Sequence, residues 1–285
     1  MDKQKLKGLL IGNFSLKRLV SSMFLIVILV YIGLSLFVYF YAEKIIFQPQ
    51  LSSYRDTNQI IKLDSGDGEE ISAMYLANPT ARYTILFSHG NAEDIGMSLP
   101  TLESIKGMGF SVFAYDYRGY GTSSGTASEE NSYRDAEAAY DYLVNNLGIP
   151  ANQIIALGRS LGGAVAIDLA HRQQLGGLII ESSFVTAYRV ITEIPVFPFD
   201  KFKSISKIKE VHCPVLVIHG TKDEVVSFWH GERLFEVAVE PKLALWVDGA
   251  GHNNLFATVE GQYKQALGEF VTLIENQKRI KKLSQ

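Results

Sequence analysis

Residues Gly158-Arg159-Ser160-Leu161-Gly162 fit the pattern G-x-S-x-G, which can present a serine hydroxyl as a nucleophile. The apolar run 153–157 before the motif predicts a buried strand, and the apolar stretch 164–171 after it predicts a helix. A sharp turn between strand and helix exposes the serine at the edge of a sheet, within reach of a base. The pattern therefore indicates Ser160 as a nucleophile for acyl transfer. The alternative is a tight turn without a catalytic use.

A nucleophilic serine needs a general base and an acid that orients the base. Two later apolar runs, residues 214–218 and 243–247, predict buried strands, which lead into Asp223 and His252 respectively. In open α/β sheets, ligands bind at the carboxyl ends of the strands. We therefore predict that His252 is the base and that Asp223 is the acid.

Other side chains compete for both roles. Glu224 is adjacent to Asp223, and Glu181 follows the predicted strand 177–180, so either of them is an alternative acid. The other histidines of the chain are His89, His171, His212, His219 and His230. They lie in predicted helices, before a strand or in His-Gly pairs after strands, which favours packing or loop orientation over proton transfer. His252 alone follows the last predicted strand, on a glycine-rich loop.

Four further segments resemble motifs of the α/β-hydrolases. They are residues 87–92 (FSHGNA), 115–121 (YDYRGYG), 219–226 (HGTKDEVV) and 249–253 (GAGHN). In that order they resemble the oxyanion loop, the D-x-R-G-x-G turn, the acid loop and the histidine loop. From about residue 45 to 278 the chain is similar to α/β-hydrolase-domain proteins with one membrane anchor, a group that includes protein depalmitoylases and bacterial hydrolases. The resemblance implies an α/β-hydrolase fold, with a mostly parallel central sheet flanked by helices.

The resemblance also implies an oxyanion hole. In the family, the residue after His-Gly and the residue after the nucleophile each donate a backbone N–H group. Here those residues are Asn91 and Leu161. The chain lacks the His-Gly-Gly-Gly loop of many lipases. Its serine nucleophile, in place of an aspartate, disfavours epoxide hydrolases and haloalkane dehalogenases.

Residues 19–42 contain no charged side chain and consist mainly of Leu, Ile, Val, Phe and Tyr. At about 1.5 Å per residue a helix of this length spans roughly 36 Å, more than the ~30 Å hydrocarbon core of a bilayer. The alternatives are a buried core helix and a signal peptide. A core helix would need polar residues on one face, and residues 40–42 (Phe-Tyr-Ala) offer no small-x-small cleavage site. We predict an uncleaved transmembrane helix.

The charges around this stretch predict its orientation. The cations before it are Lys3, Lys5, Lys7, Lys17 and Arg18, and those in residues 43–55 are Lys44 and Arg55. Positive charge favours the cytoplasmic side of a span. The N-terminus is therefore predicted to be cytoplasmic and the catalytic domain extracytoplasmic.

The composition excludes several classes of function. The net charge of −3 gives no basic field for nucleic acid. The single cysteine, Cys213, excludes an internal disulfide framework and any site with several cysteine ligands. The zinc motifs H-E-x-x-H and H-x-x-E-H are absent, as is a phosphate-binding glycine loop. We predict no metal and no cofactor.

Between the motifs, strand-like and helix-like stretches alternate, as βαβ units require. Residues 59–63 and 70–76, joined by Ser-Gly-Asp-Gly, predict an antiparallel hairpin. The spacing of apolar residues from 133 to 147 predicts a helix, and Ser132 with Asp135 resembles a capping box at its start.

Residues 184–204 break this alternation. They contain Ile194, Phe197 and Phe199, and Pro195 and Pro198 interrupt any long helix. We predict a short apolar lid whose three named residues line the substrate site. The alternative is a packed connecting loop.

The predicted organisation has five parts. They are a cytoplasmic basic N-terminus (1–18), a transmembrane helix (19–42), a linker (43–54), the hydrolase domain (55–278) and a basic tail (279–285). The residues and the resemblance together predict a membrane-anchored serine hydrolase that cleaves small-molecule or lipid-like acyl esters or thioesters through an acyl-enzyme. A serine peptidase of aminopeptidase type and a non-catalytic anchored scaffold are the alternatives.

Overall fold

The structure, a computed structural model, describes residues 16–283. Lys3, Lys5 and Lys7 of the predicted cytoplasmic segment lie outside the described residues, as do residues 284 and 285 of the predicted tail. The chain divides into two compact units, residues 1–45 and residues 46–285.

In the first unit, the described residues form most of one long helix, α1 (Leu16–Ile46). An 18-residue stretch of this helix has a mean hydropathy of 2.7, and together with the length of the helix this makes it able, by composition alone, to cross a membrane. The helix continues past residue 42, so the predicted linker begins inside it. It ends shortly before Pro49, because the residue preceding a proline disfavours the helical conformation.

The second unit is built on an eight-stranded sheet in the order β1-β2-β4-β3-β5-β6-β7-β8. The strands are β1 (Ile60–Asp64), β2 (Glu70–Leu76), β3 (Thr84–Ser88), β4 (Ser111–Tyr115), β5 (Ile154–Arg159), β6 (Gly177–Glu181), β7 (Val215–Gly220) and β8 (Lys242–Val247). β2 runs antiparallel to β1 and β4, and all other neighbours are parallel. The predicted hairpin and the predicted parallel sheet are both present.

The inner strands are apolar along their whole length because both faces of the sheet are covered. In β7, Val215 and Val217 point into one core cluster, and Leu216 and Ile218 point into the other. Alternation along each strand therefore divides the core into two layers, one on each face of the sheet.

Helices cover both faces. They are α2 (Ile95–Gly107), α3 (Glu129–Asp141), α4 (Leu161–Arg172), α5 (Arg189–Thr192), α6 (Ser204–Lys207), α7 (Trp229–Val237), α8 (Leu255–Thr258) and α9 (Glu260–Leu283). Apolar side chains of α2 and α9 belong to one core cluster, and those of α3, α4 and α7 to the other. The helix α9 continues into the predicted basic tail.

The predicted capping box at Ser132 is wrong. The N-cap of α3 is Ser128, whose Oγ accepts a hydrogen bond from Asn131 N–H at 3.1 Å. Asp135 lies inside the helix and is buried, and it accepts from Arg118 Nε at 2.9 Å. Asp135 therefore does not cap the helix. Its carboxylate binds Arg118, the arginine of the D-x-R-G-x-G turn.

The segment 184–204, between β6 and β7, holds a single short helix, α5, and α6 begins at its last residue. The segment interrupts the alternation of strands and helices, and it does so at the place that the sequence predicted. The prolines at 195 and 198 lie in irregular structure between these helices, as their missing N–H groups require.

Candidate active site

The G-x-S-x-G turn places Ser160 between β5 and α4. Ser160 has φ +52° and ψ −117°, in the region of positive φ that side chains disfavour. A Cβ on Gly158 would lie 2.0 Å from the Gly162 carbonyl oxygen, and a Cβ on Gly162 would lie 2.0 Å from the Ser88 carbonyl oxygen. The close approach of strand and helix therefore requires both glycines of the motif.

Three loops bring Ser160, His252 and Asp223 together. Ser160 Oγ lies 3.1 Å from His252 Nε2, and His252 Nδ1 lies 2.8 Å from Asp223 Oδ2. The loops follow β5, β8 and β7, so the side chains meet at the carboxyl edge of the sheet. In this arrangement the hydroxyl donates to Nε2 and Nδ1–H donates to the carboxylate. An imidazole held in this way can accept the serine proton.

Four donors hold the Asp223 carboxylate. Val225 N–H and Val226 N–H donate to Oδ1 at 2.9 and 2.7 Å, and His252 Nδ1–H donates to Oδ2. His219 Nε2 lies 3.3 Å from Oδ2 and 2.8 Å from the Val226 carbonyl oxygen, so this nitrogen carries a proton. Burial by itself would raise the pKa of Asp223. The hydrogen bonds from the two histidines and from Val226 overcome that effect and hold the pKa well below its usual range.

The two alternative acids are engaged elsewhere. Glu181 is buried at the end of β6, 3.6 Å from Arg159 Nε, and accepts from the Tyr263 hydroxyl at 2.9 Å. Burial raises the pKa of Glu181, and the arginine and the tyrosine offset only part of this rise. Glu224 is exposed and accepts from the His252 backbone N–H at 3.3 Å. Among residues 16–283, the carboxylate bound to the imidazole is the one predicted.

The two predicted oxyanion donors belong to neighbouring loops. Asn91 lies three residues beyond Ser88, which pairs with Gly158 in the sheet, and Leu161 is the first residue of α4. Within the described part of the chain, neither backbone N–H donates a hydrogen bond. The N-terminus of a helix favours a negative charge, and Leu161 N–H lies at such an end. Both groups are therefore available as donors.

Arg159, the residue directly before Ser160, joins two loops of the site. Its Nη1 lies 2.6 Å from Glu93, and its Nη2 donates to the His252 carbonyl oxygen at 3.4 Å and to Asn253 Oδ1 at 3.1 Å. Glu93 accepts in turn from Gly90 N–H at 3.3 Å. The sequence reasoning missed this residue. Its signal in the sequence was a charged side chain at the end of an apolar strand, directly before the predicted nucleophile Ser160.

A cavity of about 270 Å³ lies beside His252. Its walls are formed by Phe87, Glu93, Met97, Ser98, Thr101, Ile105, Arg159, Glu181, His252, Asn253, Leu255, Phe256 and Tyr263. Most of the apolar wall comes from α2 and α8. Both carboxylates of the wall pair with Arg159, so they already have a counter-ion.

The three predicted lid residues lie elsewhere. Ile194 is 65% exposed, and Phe197 stacks on Phe199 with ring centroids 5.7 Å apart. The ring of Tyr188 makes edge contacts with both phenylalanines. These aromatic rings pack on one another within the segment, and none of the three predicted residues lines the cavity beside His252.

Within residues 16–283, no group of three or more His, Cys, Asp or Glu side chains could hold a metal ion. His219 and His252 both approach Asp223, but each does so as a hydrogen-bond donor.

Comparison with known proteins finds relatives over most of the chain. A family model described as serine aminopeptidase, S33, matches residues 79–206. The α/β-hydrolase domain-containing protein 17B of Xenopus tropicalis is 40% identical over 225 residues, which are 78% of this chain and 77% of the relative. The protein of the same name from Homo sapiens matches with the same identity and coverage.

Solved structures share the fold at lower identity. An esterase of Pyrococcus furiosus has a TM-score of 0.67 at 20% identity, covering 79% of this chain and 98% of that chain. A monoacylglycerol lipase of Paleococcus ferrophilus has a TM-score of 0.57 at 21% identity, covering 71% of this chain and 98% of that chain. These likenesses concern the fold, and they confirm the predicted parallel sheet flanked by helices.

Proposed function

The chain belongs to the α/β-hydrolase domain-containing family, and we propose that it is a membrane-anchored serine hydrolase that cleaves acyl esters or thioesters. The family supports hydrolase activity. The serine mechanism, the anchor and the substrate class are the proposal. The observation that carries it is the continuous series of hydrogen-bond distances from Ser160 Oγ through His252 to Asp223.

In the proposed reaction, Ser160 Oγ attacks the acyl carbonyl carbon while His252 Nε2 takes the hydroxyl proton. Asp223, ionised because its pKa is low, stabilises the imidazolium that forms. His252 then gives the proton to the departing oxygen or sulfur, and an acyl-enzyme remains. Water loses a proton to the same imidazole and attacks the acyl carbon. The carboxylic acid leaves, and Ser160 regains its proton.

The carbonyl oxygen becomes negatively charged in each tetrahedral intermediate, so it needs donors that are already in place. We assign Asn91 N–H and Leu161 N–H to this role, because neither has an acceptor among the described residues. Removing one such donor typically costs about 10²–10³ in turnover.

The cavity beside His252 supports an apolar substrate. Met97, Leu255 and Phe256 contribute hydrocarbon to its wall, and its carboxylates are paired with Arg159. Each buried CH₂ contributes about 0.8 kcal/mol to binding. Pockets that enclose a whole small-molecule ligand usually have volumes of roughly 300 Å³ or more, and this cavity is slightly smaller. The cavity is therefore suited to hold one part of a substrate, such as its acyl chain. We expect medium or long acyl esters to be better substrates than acetyl esters.

We propose that α1 anchors the enzyme and that the hydrolase domain lies outside the cytoplasm. The length and hydropathy of α1 support the span, and the excess of cations before it supports the orientation. A reporter that is active only outside the cytoplasm, fused after residue 285, should be active. Activity of a cytoplasm-only reporter at the same position would reverse the orientation.

A peptidase of aminopeptidase type is the second candidate, because the matching family model carries that description. An aminopeptidase has to bind a free α-amino group, for which an unpaired carboxylate near the nucleophile is suited. The carboxylates in the cavity wall, Glu93 and Glu181, are both paired with Arg159. This pairing favours esters over aminoacyl amides.

The test uses the full chain purified in detergent, with p-nitrophenyl esters of increasing chain length, matched thioesters and aminoacyl amides. We expect Ser160→Ala to lose turnover by on the order of 10⁶, as in other triads, and to lose labelling by a fluorophosphonate. Ser206→Ala, which alters an exposed serine, is the matched control and should keep both. Turnover in a folded Ser160→Ala variant contradicts the serine mechanism. A wild-type chain that resists the label supports the scaffold, and a preference for aminoacyl amides supports the peptidase.

A further inference from the structure

The side chain of Asn91 makes contacts that its backbone role does not require. Oδ1 accepts hydrogen bonds from the Tyr120 hydroxyl at 2.6 Å and from Gln48 N–H at 3.0 Å. Nδ2 donates to the Ile46 carbonyl oxygen at 2.6 Å. The carboxamide thus binds the carbonyl of Ile46 and the N–H of Gln48, two residues further along the chain. The backbone of a neighbouring β-strand binds the same two groups in a sheet. A carboxylate or an apolar side chain of the same shape could not make both bonds.

The backbone that this carboxamide holds follows α1 directly. Ile46 is the last residue of the helix, and Gln48 lies two residues later. Between them, Phe47 is buried, and its ring centroid lies 5.8 Å from that of Phe202. Residues 46–48 are therefore fixed to the hydrolase domain through both backbone and side chain.

Tyr120 connects the same carboxamide to the interior. Its ring is buried and lies 5.3 Å from the ring of His89, two residues before Asn91, and its hydroxyl is 3.1 Å from Gln48 N. Burial raises the pKa of Tyr120 to about 12, so the hydroxyl keeps its proton at neutral pH and remains a donor.

The oxyanion loop needs this support. Ala92, next to Asn91, has φ +58°, a conformation that is unfavourable for a residue with a Cβ. Such a conformation persists only where the surrounding contacts fix it. Three hydrogen bonds to the neighbouring carboxamide are contacts of this kind.

We propose that the Asn91 carboxamide is a positioning group for hydrolysis, and that residues 46–48, which leave α1, thereby take part in catalysis. The inference rests on the proposed oxyanion role of Asn91 N–H. The carboxamide fixes the loop so that this N–H points towards the site of the oxyanion. Because the oxyanion forms only after attack, loss of the carboxamide lowers kcat and leaves KM nearly unchanged.

The first test is Asn91→Ala in the full chain. The backbone N–H remains, so we expect kcat to fall by roughly 10- to 100-fold, which is less than the loss of a donor outright, with KM changed less than about twofold. Asn131→Ala is the matched control. The Asn131 carboxamide also bridges chain segments, donating to Thr126 O and accepting from Arg118, but it lies at the start of α3. Its loss should leave kcat unchanged.

The second test alters the partner of the Asn91 carboxamide, the backbone N–H of Gln48. Gln48→Pro removes the N–H that donates to Asn91, and Gln50→Pro removes an N–H that donates to no described group. We expect Gln48→Pro to lower kcat several-fold and Gln50→Pro to leave it unchanged. In the Asn91→Ala background, Gln48→Pro should add little, because the bond to Asn91 is already lost and only the contact of Gln48 N–H with the Tyr120 hydroxyl remains to be removed.

An additive double-mutant cycle overturns the proposal, as does an Asn91→Ala variant with unchanged kcat or with a raised KM alone. If Asn91→Ala does not fold, Tyr120→Phe removes one donor to the same carboxamide and should show the same kcat-specific loss at smaller size. Ser160→Ala is assayed in parallel. Activity in Ser160→Ala refutes the serine mechanism, whereas an inactive Ser160→Ala beside a fully active Asn91→Ala refutes only the positioning role.

Discussion

Two carboxylates stand one strand apart at the carboxyl edge of the sheet, Glu181 at the end of β6 and Asp223 in the loop after β7. Asp223 accepts from two backbone N–H groups and from two imidazoles, and its pKa is lowered. Glu181 is equally enclosed but has one tyrosine donor and one arginine at 3.6 Å, and its pKa is raised. Burial acts on both carboxylates, so the number of donors decides the direction of the shift.

The difference identifies what an orienting acid requires. A carboxylate that has to stabilise an imidazolium must remain ionised throughout the reaction. The turn after β7 points its own N–H groups at Asp223, whereas the last residue of a strand has its N–H groups committed to the sheet. A position just beyond the strand is therefore better suited to the acid than a position at its end.

The largest expected effect is the difference in kcat between variants of Asp223 and variants of Glu181. Asp223→Asn should lower kcat by about 10³–10⁴, because the amide no longer fixes the imidazole in the required tautomer. Glu181→Gln keeps an oxygen acceptor for Tyr263 and should stay within about fivefold of wild type, since ΔΔG‡ below 1 kcal/mol corresponds to such a factor. Steady-state kinetics on one ester series, with circular dichroism to verify folding, measures both. A larger loss in Glu181→Gln would make Glu181 the acid.

A smaller effect is expected when the His219 donor, which Asp223 has and Glu181 lacks, is removed. His219→Leu removes one donor from Asp223, and we expect kcat to fall about tenfold, equivalent to ~1.4 kcal/mol in the barrier. His219→Gln retains an N–H and is the matched variant, with an expected loss of only a few-fold. Equal losses in the two variants would show that ring packing matters there instead of hydrogen bonding.

The smallest effect is the pH dependence of thermal stability. A lowered pKa contributes stability that is present above the unfolded value, ~3.9 for Asp, and is lost as pH falls through the folded pKa. A raised pKa contributes stability that is present below the unfolded value, ~4.3 for Glu, and is lost as pH rises through the folded pKa. The Tm advantage of wild type over Asp223→Asn should therefore stay nearly constant down to about pH 4 and shrink below it, whereas the advantage over Glu181→Gln should grow as the pH falls from about 7 to about 4.

One unit of pKa corresponds to about 1.4 kcal/mol, or roughly 3–6 °C in Tm for a domain of this size. Differential scanning fluorimetry of the three proteins in one detergent resolves such differences. Slopes of the same sign for both variants would contradict the opposite pKa shifts of Asp223 and Glu181.

The sequence was sufficient to predict those features that depend on local order. Strands predicted at 214–218 and 243–247 occur as Val215–Gly220 and Lys242–Val247, and the loops after them carry Asp223 and His252. A strand followed by a loop has a local signature, and parallel strands place such loops at one edge. The approach of Ser160, Asp223 and His252 to one another follows from that regularity.

Contacts between distant segments could not be predicted in this way. Arg159 lies 66 residues from Glu93, and Asn91 lies 45 residues from Ile46, and neither pair has a pattern in the sequence. The misplaced cap at Ser132 has the same cause, because the partner that holds Asp135 is the distant Arg118. Residues 184–204 were expected to cover the site, but Tyr188, Phe197 and Phe199 pack on one another and none of them lines the cavity beside His252.

The backbone conformation of Ser160 lowers the stability of the protein, and hence its expression level, whereas the proposed activity requires the serine. Its positive φ costs about 1–3 kcal/mol, which a glycine would not incur, although glycine gives back about 0.4–1 kcal/mol as entropy of the unfolded chain. In a library sorted by expression level, Ser160→Gly should therefore rank beside or above the parent chain, whereas sorting by turnover should place it last. If a cell no longer needs the reaction, purifying selection on the serine ends while selection for stable folding continues. We expect position 160 to drift towards glycine in such a lineage.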